Sequence, residues 1–521
     1  MMLRYISMMR KLLFLLCFLL SGSVSASAQQ AMQRLAISPN GNCRNIGVED
    51  GVAAGGVSIG CIDATGIYRS ADAVDPHAFG AFGDCSTDDT QAYRLALAEA
   101  RRSRRAVGGQ GCFRITGSLD NAGVTIRGPI APYTRNSDNP SEWGHVLAHD
   151  ADQDALFRPS GSGWVLENIV LYDPRQTGKG GKPVSRPPMI EILKESADWT
   201  IKGSVIVNAY DFFRTGPNSV IGDARITDNR IYAAHIVYDL RGIAPETIFE
   251  RGNIYSPGVY QRAAVFGNGA MLAAWTAKNG TIRLINIADR PDGKTGSIDG
   301  WAPSDNFNFG YARAMDVAGG LYNVGTMSNE RYDQIAQILR TSGTGGVVLS
   351  MSGGNGYILT SRDPTKALPA FDFGGTGVHM ITITGFHGIF AAGSWCDVHT
   401  DVPLYLAILG GILDIYGRTS GPGAGIAACR INGAAARVTF RPGYVQGGTP
   451  TSVGLKVIKA LNVLSDTTYD NIFLPIDVKA SVSQSTKVMD RSITLRTIGP
   501  RSYQSAASPG VLVAAGAYDK P

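Results

Sequence analysis

The sequence predicts an all-β fold, and three observations carry that prediction. Glycine is abundant, at 64 of 521 residues, while charged residues make up only 17%. Short β-branched runs recur between Gly, Asn, Asp and Ser turns, and long helical periodicity is scarce. Four segments also repeat one pattern, starting at Val165, Ile201, Ile226 and Phe249. Each sets an apolar residue, two polar or spacer residues and a small turn former ahead of an alternating strand. The starts lie 36, 25 and 23 residues apart. The last two intervals suit one coil of a repeating β structure. The first suits a coil plus a loop, and Gln176 to Pro188, rich in Gly, Pro and Lys, is the candidate loop.

The N-terminal residues read as an export leader. Arg4, Arg10 and Lys11 precede an apolar run from Leu12 to Leu20, and Ala26-Ser27-Ala28 forms an A-x-A site. The run is shorter than the roughly 20 residues that span a bilayer. Cleavage after Ala28 removes three positive charges, so the formal +5 falls to +2, which calls for no nucleic acid and no membrane partner. The basic run Arg101, Arg102, Arg104, Arg105 is read as a solvated helix face. The expected destination is periplasmic or secreted.

Beyond the leader the chain has six cysteines: Cys43, Cys61, Cys85, Cys112, Cys396 and Cys429. An even count in an oxidising compartment points to disulfides, and the simplest of the 15 pairings is sequential. The absence of C-x-x-C argues against a zinc or thioredoxin-type site.

Taken in order, residues 29–72 are expected to form an irregular lead-in stapled by Cys43 and Cys61. The segment Asp88 to Ala106 reads as a helix with Thr87 or Asp88 at its N-cap and Gly108-Gly109 at its end. Leu95, Leu97, Ala92, Ala96 and Ala100 supply its apolar side. Short strands follow near Phe113–Thr116 and Val124–Arg127.

The stretch from Phe79 to Gly128 carries Phe79-Gly80-Ala81, Gly83-Asp84 and Thr87-Asp88-Asp89-Thr90. It resembles the N-terminal signature of the pectate-lyase-like superfamily, in which F/Y-G-A-x-G-D leads to T-D-D-T and a capping helix. The resemblance implies a right-handed parallel β-helix with a short N-terminal capping α-helix. Two positions depart from the signature: Cys85 replaces a glycine and Cys112 an aliphatic residue. That both are cysteines supports a Cys85–Cys112 bridge across the cap. On this reading residues 73–300 form the β-helix and its cap. Asn168, Ser204 and Asn229 fall at one turn position, where stacked side chains can bond along the axis.

Beyond Gly280 the register blurs. Pro303 to Ser328 reads mostly as turns and Asn329 to Arg340 as a short helix-like piece. Residues 301–501 are expected to add further coils, with a separate β domain as the alternative, and residues 502–521 to form a flexible tail.

The resemblance implies a polysaccharide partner, with the chain as monomer or homotrimer. Carrying the repeat forward aligns Tyr210 with His235 on successive coils. Asp211, Arg214, Asp239 and Arg241 lie close by. β-Elimination of a uronide needs a cation for the carboxylate, a base for the C5 proton and an acid for the leaving oxygen. His235 is the base candidate, Tyr210 the acid, and Arg214 or Arg241 the cation. Lys202, Arg230 and Tyr232 are candidate substrate contacts.

Hydrolysis is the competing chemistry, with Asp211 and Asp239 as its carboxylates. The polygalacturonase-type set is missing, as Gly385-Phe386-His387-Gly388 is only distantly similar to G-H-G. Asp75-Pro76-His77 is followed by Ala78, so the D-P-H-E element of alginate epimerases is absent. A non-catalytic polysaccharide-binding β-helix is the third reading. A phage tailspike shares the signature, but the leader argues against it.

Asp150, Asp152 and Asp154 alternate like the start of a Ca²⁺ loop. Ala155 and Gly161 stand where that loop needs Gly and Glu. On a strand the three share a face and are the weak candidate for Ca²⁺.

Overall fold

The computed structural model describes residues 60–62, 68–70, 73–129, 139–176, 183–241, 248–256, 283–287, 296–358, 368–390, 394–415, 427–447, 453–472, 474–478, 487–497 and 514–515. The leader, Cys43 and most of the tail lie outside them. So does the Cys43–Cys61 pairing. The two described pieces of the lead-in, Gly60–Ile62 and Tyr68–Ser70, pair as antiparallel strands.

From Ala73 onward the described strands pair in parallel, each with the equivalent strand of the next coil. The chain is a parallel β-helix. Each coil donates one strand to a first sheet, passes a tight turn, and then enters a second sheet that bends into two sections. The apolar core runs along the axis as stacked side chains. Trp164 and Trp199, for example, lie parallel at 4.8 Å between ring centroids, one strand spacing apart.

Helix α1 (Thr90–Ser103) closes the N-terminal end, burying Ala92, Tyr93, Ala96, Leu97 and Ala100. Its limits differ from the sequence reading. Asp89 occupies the N-cap, and Arg104 in the left-handed conformation (φ 55°) stops the helix before the glycines. Asp88 still contributes, as its Oδ1 accepts from the Thr90 N–H at 3.0 Å. Leu95 points to solvent and adds nothing to the buried face. The carboxylate of Asp89 accepts from the Phe82 and Gly83 N–H groups at 2.6 and 3.1 Å, which pins the Phe79–Asp84 loop against the helix start. Gly83 has φ 65°, and a Cβ there would lie 2.7 Å from His77 Nε2, so the loop requires glycine. Two disulfides join neighbouring coils, Cys85–Cys112 and Cys396–Cys429.

A polar spine runs along the turn between the first and second sheets. The Ser204 N–H donates to Asn229 Oδ1 at 2.9 Å, Asn229 N–H to Asn253 at 2.9 Å, and Asn253 N–H to Asn306 at 2.8 Å. Asn306 N–H then donates to Glu330 Oε1 at 3.2 Å. Asn168 does not belong to this column. Val170 pairs with Val205, so Asn168 matches Gly203, and both hold left-handed φ angles, 56° and 59°. Asn168 supplies the turn itself; the residue beside Ser204 is Ile169, whose N–H reaches Ser204 Oγ at 3.3 Å.

The strands continue through the C-terminal part. The stretch Asn329 to Arg340 is two strands, Arg331–Ile335 and Gln337–Thr341, not a helix. Asn329 turns at φ 52°, and Arg331 pairs with Phe307 of the preceding coil. Pro303 to Ser328 likewise contains strands Phe307–Phe309, Arg313–Val317 and Leu321–Ser328. Among the described residues no helix is long and apolar enough to cross a membrane.

Candidate functional site

Two long strands, β1 (Val205–Thr215) and β2 (Arg230–Leu240), carry the chain across the bend of the second sheet. Val205 pairs with Arg230, Ala209 with Ala233 and Asp211 with Ile236. The register therefore slips twice, between Ile206 and Ala209 and again between Ala209 and Asp211, and at the second slip Tyr210 alone opposes Ala234 and His235. Such a bulge re-aims side chains and interrupts pairing.

At this bulge the rings of Tyr210 and His235 stack, 4.6 Å between centroids and 19° from parallel. His235 Nδ1 lies 2.8 Å from Asp211 Oδ1. Asp211 is 1% exposed and also accepts from Arg214 Nη2 at 2.7 Å and from the Ile236 N–H at 3.2 Å. Arg214 Nε stands 3.3 Å from Asp239 Oδ2, and Arg241 Nη2 2.8 Å from the same oxygen. Burial, reinforced by the Asp211 charge, pushes the Tyr210 phenol up, while a hydrogen bond with Ser185 pulls the other way. Ser185 belongs to the loop between coils, where the Val184 N–H bonds Gln176 Oε1 at 2.9 Å.

The structure thus brings all six residues, Tyr210, Asp211, Arg214, His235, Asp239 and Arg241, into one bonded cluster. It does not bring the three expected contacts there. Lys202 lies in the first sheet, on the far side of the Gly203 turn. Arg230 starts β2, five residues before His235, which is about 16 Å along an extended strand. Tyr232 packs on a separate outer apolar cluster with Trp143, Tyr172 and Val207.

Asp211 and Asp239 fit hydrolysis poorly. Both are almost wholly buried and both are held by guanidinium groups, so neither can deliver a proton or a nucleophile. The expected acidic edge is also occupied. Asp150 meets Arg114 at 2.7 Å and Arg175, Asp152 meets Arg175 and Arg186, and Asp154 meets Arg158 at 2.5 Å. Those oxygens serve arginines. Among the described residues no group of three His, Cys, Asp or Glu side chains could hold a metal ion.

A second constellation escaped the sequence reading. Arg214 and Asp239 belong to an outward column that runs along the second sheet. It reads Arg158, Glu191, Arg214, Asp239, Asn286, Asp316, Arg340, Asp372, Asp397, Arg430, Lys456, Asp477. Charges of opposite sign are register partners at most steps, as cross-strand pairing favours. Two steps break the rule, Asp372 and Asp397 as adjacent carboxylates and Arg430 and Lys456 as adjacent cations. His399 Nε2 bonds Asp372 Oδ1 at 2.7 Å, and Arg430 Nε stands 3.8 Å from Asp397 Oδ1. Burial raises the Asp397 pKa and the Asp372 charge adds to it, partly offset by Arg430 and His399. The hydrogen bond to Asp372 raises the pKa of His399. Gly374 is part of this arrangement, since a Cβ there would lie 2.2 Å from the His399 ring. Only stacked coil positions reveal this pairing, and variable loop lengths hid them.

No family model matches the chain, and no curated protein sequence matches it. Among solved structures it is similar to the catalytic unit of a GH87 α-1,3-glucanase from Streptomyces thermodiastaticus, with 13% identity, 86% of this chain and 69% of that one covered, and a TM-score of 0.39. It is similar to PfbA, a surface adhesin of Streptococcus pneumoniae, with 9% identity, coverages of 82% and 91%, and a TM-score of 0.41. It is also similar to the A-module of the Azotobacter vinelandii mannuronan C-5 epimerase AlgE4, with 12% identity, coverages of 85% and 100%, and a TM-score of 0.34.

Proposed function

We propose that this protein is exported and cleaves an acidic polysaccharide by β-elimination at the Tyr210–His235 pair. The observation that carries the reading is the 2.8 Å bond between His235 Nδ1 and buried Asp211. A carboxylate there holds the proton on Nδ1, so the lone pair sits on Nε2. Nε2 removes the C5 proton of a uronide. The C–H electron pair becomes the C4=C5 double bond, and the C4–O bond breaks with its pair on oxygen. Tyr210, whose phenol stays protonated, donates to that oxygen. Arg241 is the cation for the substrate carboxylate, because its side chain is 44% exposed while Arg214 is clamped between two aspartates. The two disulfides and the expected leader agree with an oxidising compartment.

Hydrolysis is the second reading, favoured by the Asp372–Asp397 contact. Carboxyl groups on adjacent strands, roughly 4.8 Å apart at the backbone, approach the separation of about 5–5.5 Å used by retaining glycosidases. Asp397, with its raised pKa, would be the acid and Asp372 the nucleophile.

The test is an assay of acidic polysaccharides that follows both the ultraviolet absorbance of unsaturated uronyl ends and the appearance of reducing ends. Absorbance lost in His235→Ala and kept in Asp397→Asn supports elimination. Reducing ends without absorbance, lost in Asp397→Asn, support hydrolysis. Polymer binding with neither product replaces both with a binding role.

A further inference from the structure

The first sheet presents a shallow outward groove on strands β3 (Gly346–Ser352), β4 (His379–Thr384), β5 (Leu404–Leu409) and β6 (Ala436–Arg441). Its floor carries hydroxyls in register: Ser350 pairs with Thr382, and Thr439 follows two coils on. Its wall is Met380, Tyr405 and Arg437, again in direct register. Met380 is 54% exposed and Tyr405 42%, an unusual outlay of apolar surface on one strip. The Arg437 guanidinium lies 5.2 Å from the Tyr405 ring centroid, and its Nη1 donates to the Tyr405 hydroxyl at 3.0 Å.

The charges of this groove are one-sided. No carboxylate lines it. Arg437 has no carboxylate partner among the described residues, unlike Arg214, Arg241, Arg340 and Arg430. The ring and the hydroxyl hold the guanidinium in place while most of its five donors stay available. A guanidinium fixed in this way matches a carboxylate bidentately. The thioether and the aromatic edge match the C–H faces of sugar rings, and the serine and threonine floor matches their hydroxyls.

We propose that this groove holds an acidic polysaccharide chain along the helix axis, with a sugar carboxylate on Arg437. With the next strand, Asn462–Ser465, the strip from Val348 to Asn462 crosses five strands, or about 19 Å, enough for about four sugar units. It lies on a different sheet from Tyr210 and His235, several coils further along. It is a holding site for polymer and takes no part in bond cleavage. The substrate class is shared with the reading above, but the site and its test are separate.

The test uses the full chain carrying His235→Ala, so that binding is measured without cleavage. Polygalacturonate and alginate are the acidic probes and dextran the neutral one, in affinity electrophoresis at low and high salt. The parent should bind at least one acidic polymer and not dextran. Arg437→Gln should weaken that binding about tenfold and flatten its salt dependence, with an unchanged thermal melt. Arg437→Lys should restore the salt dependence and only part of the affinity. Equal affinity in Arg437→Gln, or binding of neither acidic polymer, would overturn the proposal. So would a parent dimer in sedimentation that Tyr405→Ala makes monomeric, since the strip would then belong to a second copy. Binding of an acidic polymer with no elimination by the chain that keeps His235 would overturn the catalytic reading alone.

Discussion

Asp372 and Asp397 are direct register partners on adjacent coils, two carboxylates in a column whose other acidic members have only cations or Asn286 as register partners. Like charges so placed oppose folding. Asp397→Asn is therefore expected to raise stability, by about 0.5–1 kcal/mol. A higher urea midpoint at unchanged slope would show this. A lower midpoint would mean that a shared proton stabilises the pair and that like-charge repulsion does not act across it.

Asp211 orients His235, so Asp211→Asn should remove most of what His235→Ala removes, about 10²–10⁴-fold in elimination rate. The double variant should be no worse than either single one, because the two act as a unit. Additive losses in single-turnover kinetics would count against the dyad. A structural cost is expected as well, since Arg214 loses its ion pair with Asp211 and keeps the one with Asp239.

Glu250 sits in an interior stack, paired in register with Ile226 and Pro303, and bonded to Trp301 Nε1 at 2.7 Å and to the Tyr255 hydroxyl. Burial, with the nearby Glu330 charge, raises its pKa from 4.5 to about 8. Between those values the folded protein holds a proton that the unfolded chain has lost. Stability should therefore fall as pH rises from about 4.5 to about 8, by up to about 1.4 kcal/mol per unit, and level off above. Thermal melts across that window check the slope, and Glu250→Gln should flatten it.

The polar spine gives a fourth prediction. Asn253→Ala leaves the buried Asn229 N–H without its acceptor and should cost about 2–3 kcal/mol. Hydrogen exchange at Asn229 should speed up before exchange in the C-terminal coils does.

The sequence showed the coil and the Tyr210–His235 contact for the same reason. Between Ile201 and Ile226 the repeat is uninterrupted, and the structure keeps that pairing. Elsewhere the aligned starts slip by one residue. Val165 pairs with Thr200 rather than Ile201, and Phe249 with Arg225 rather than Ile226. A left-handed residue at the turn can be Asn, Asp or Gly, so turn chemistry alone does not identify which residue enters the spine. This is how Asn168 was placed one position late. The helical reading of Asn329 to Arg340 gives way to two strands, and Tyr332, Ile335 and Leu339 are all buried along them. Asp372 and Asp397 stand in three-residue strands between long connections, and no local pattern distinguishes them from other aspartates.

The charged column has a parity. Through its first four members, Arg158, Glu191, Arg214 and Asp239, sign alternates from coil to coil. Removing the coil of Glu191 or that of Arg214 would set like against like, whereas removing both would restore the alternation. Changes of length in this part of the molecule are thus tolerated in pairs of coils. A single-coil deletion there should be compatible only with a compensating change of sign on the charged rungs between it and Asn286.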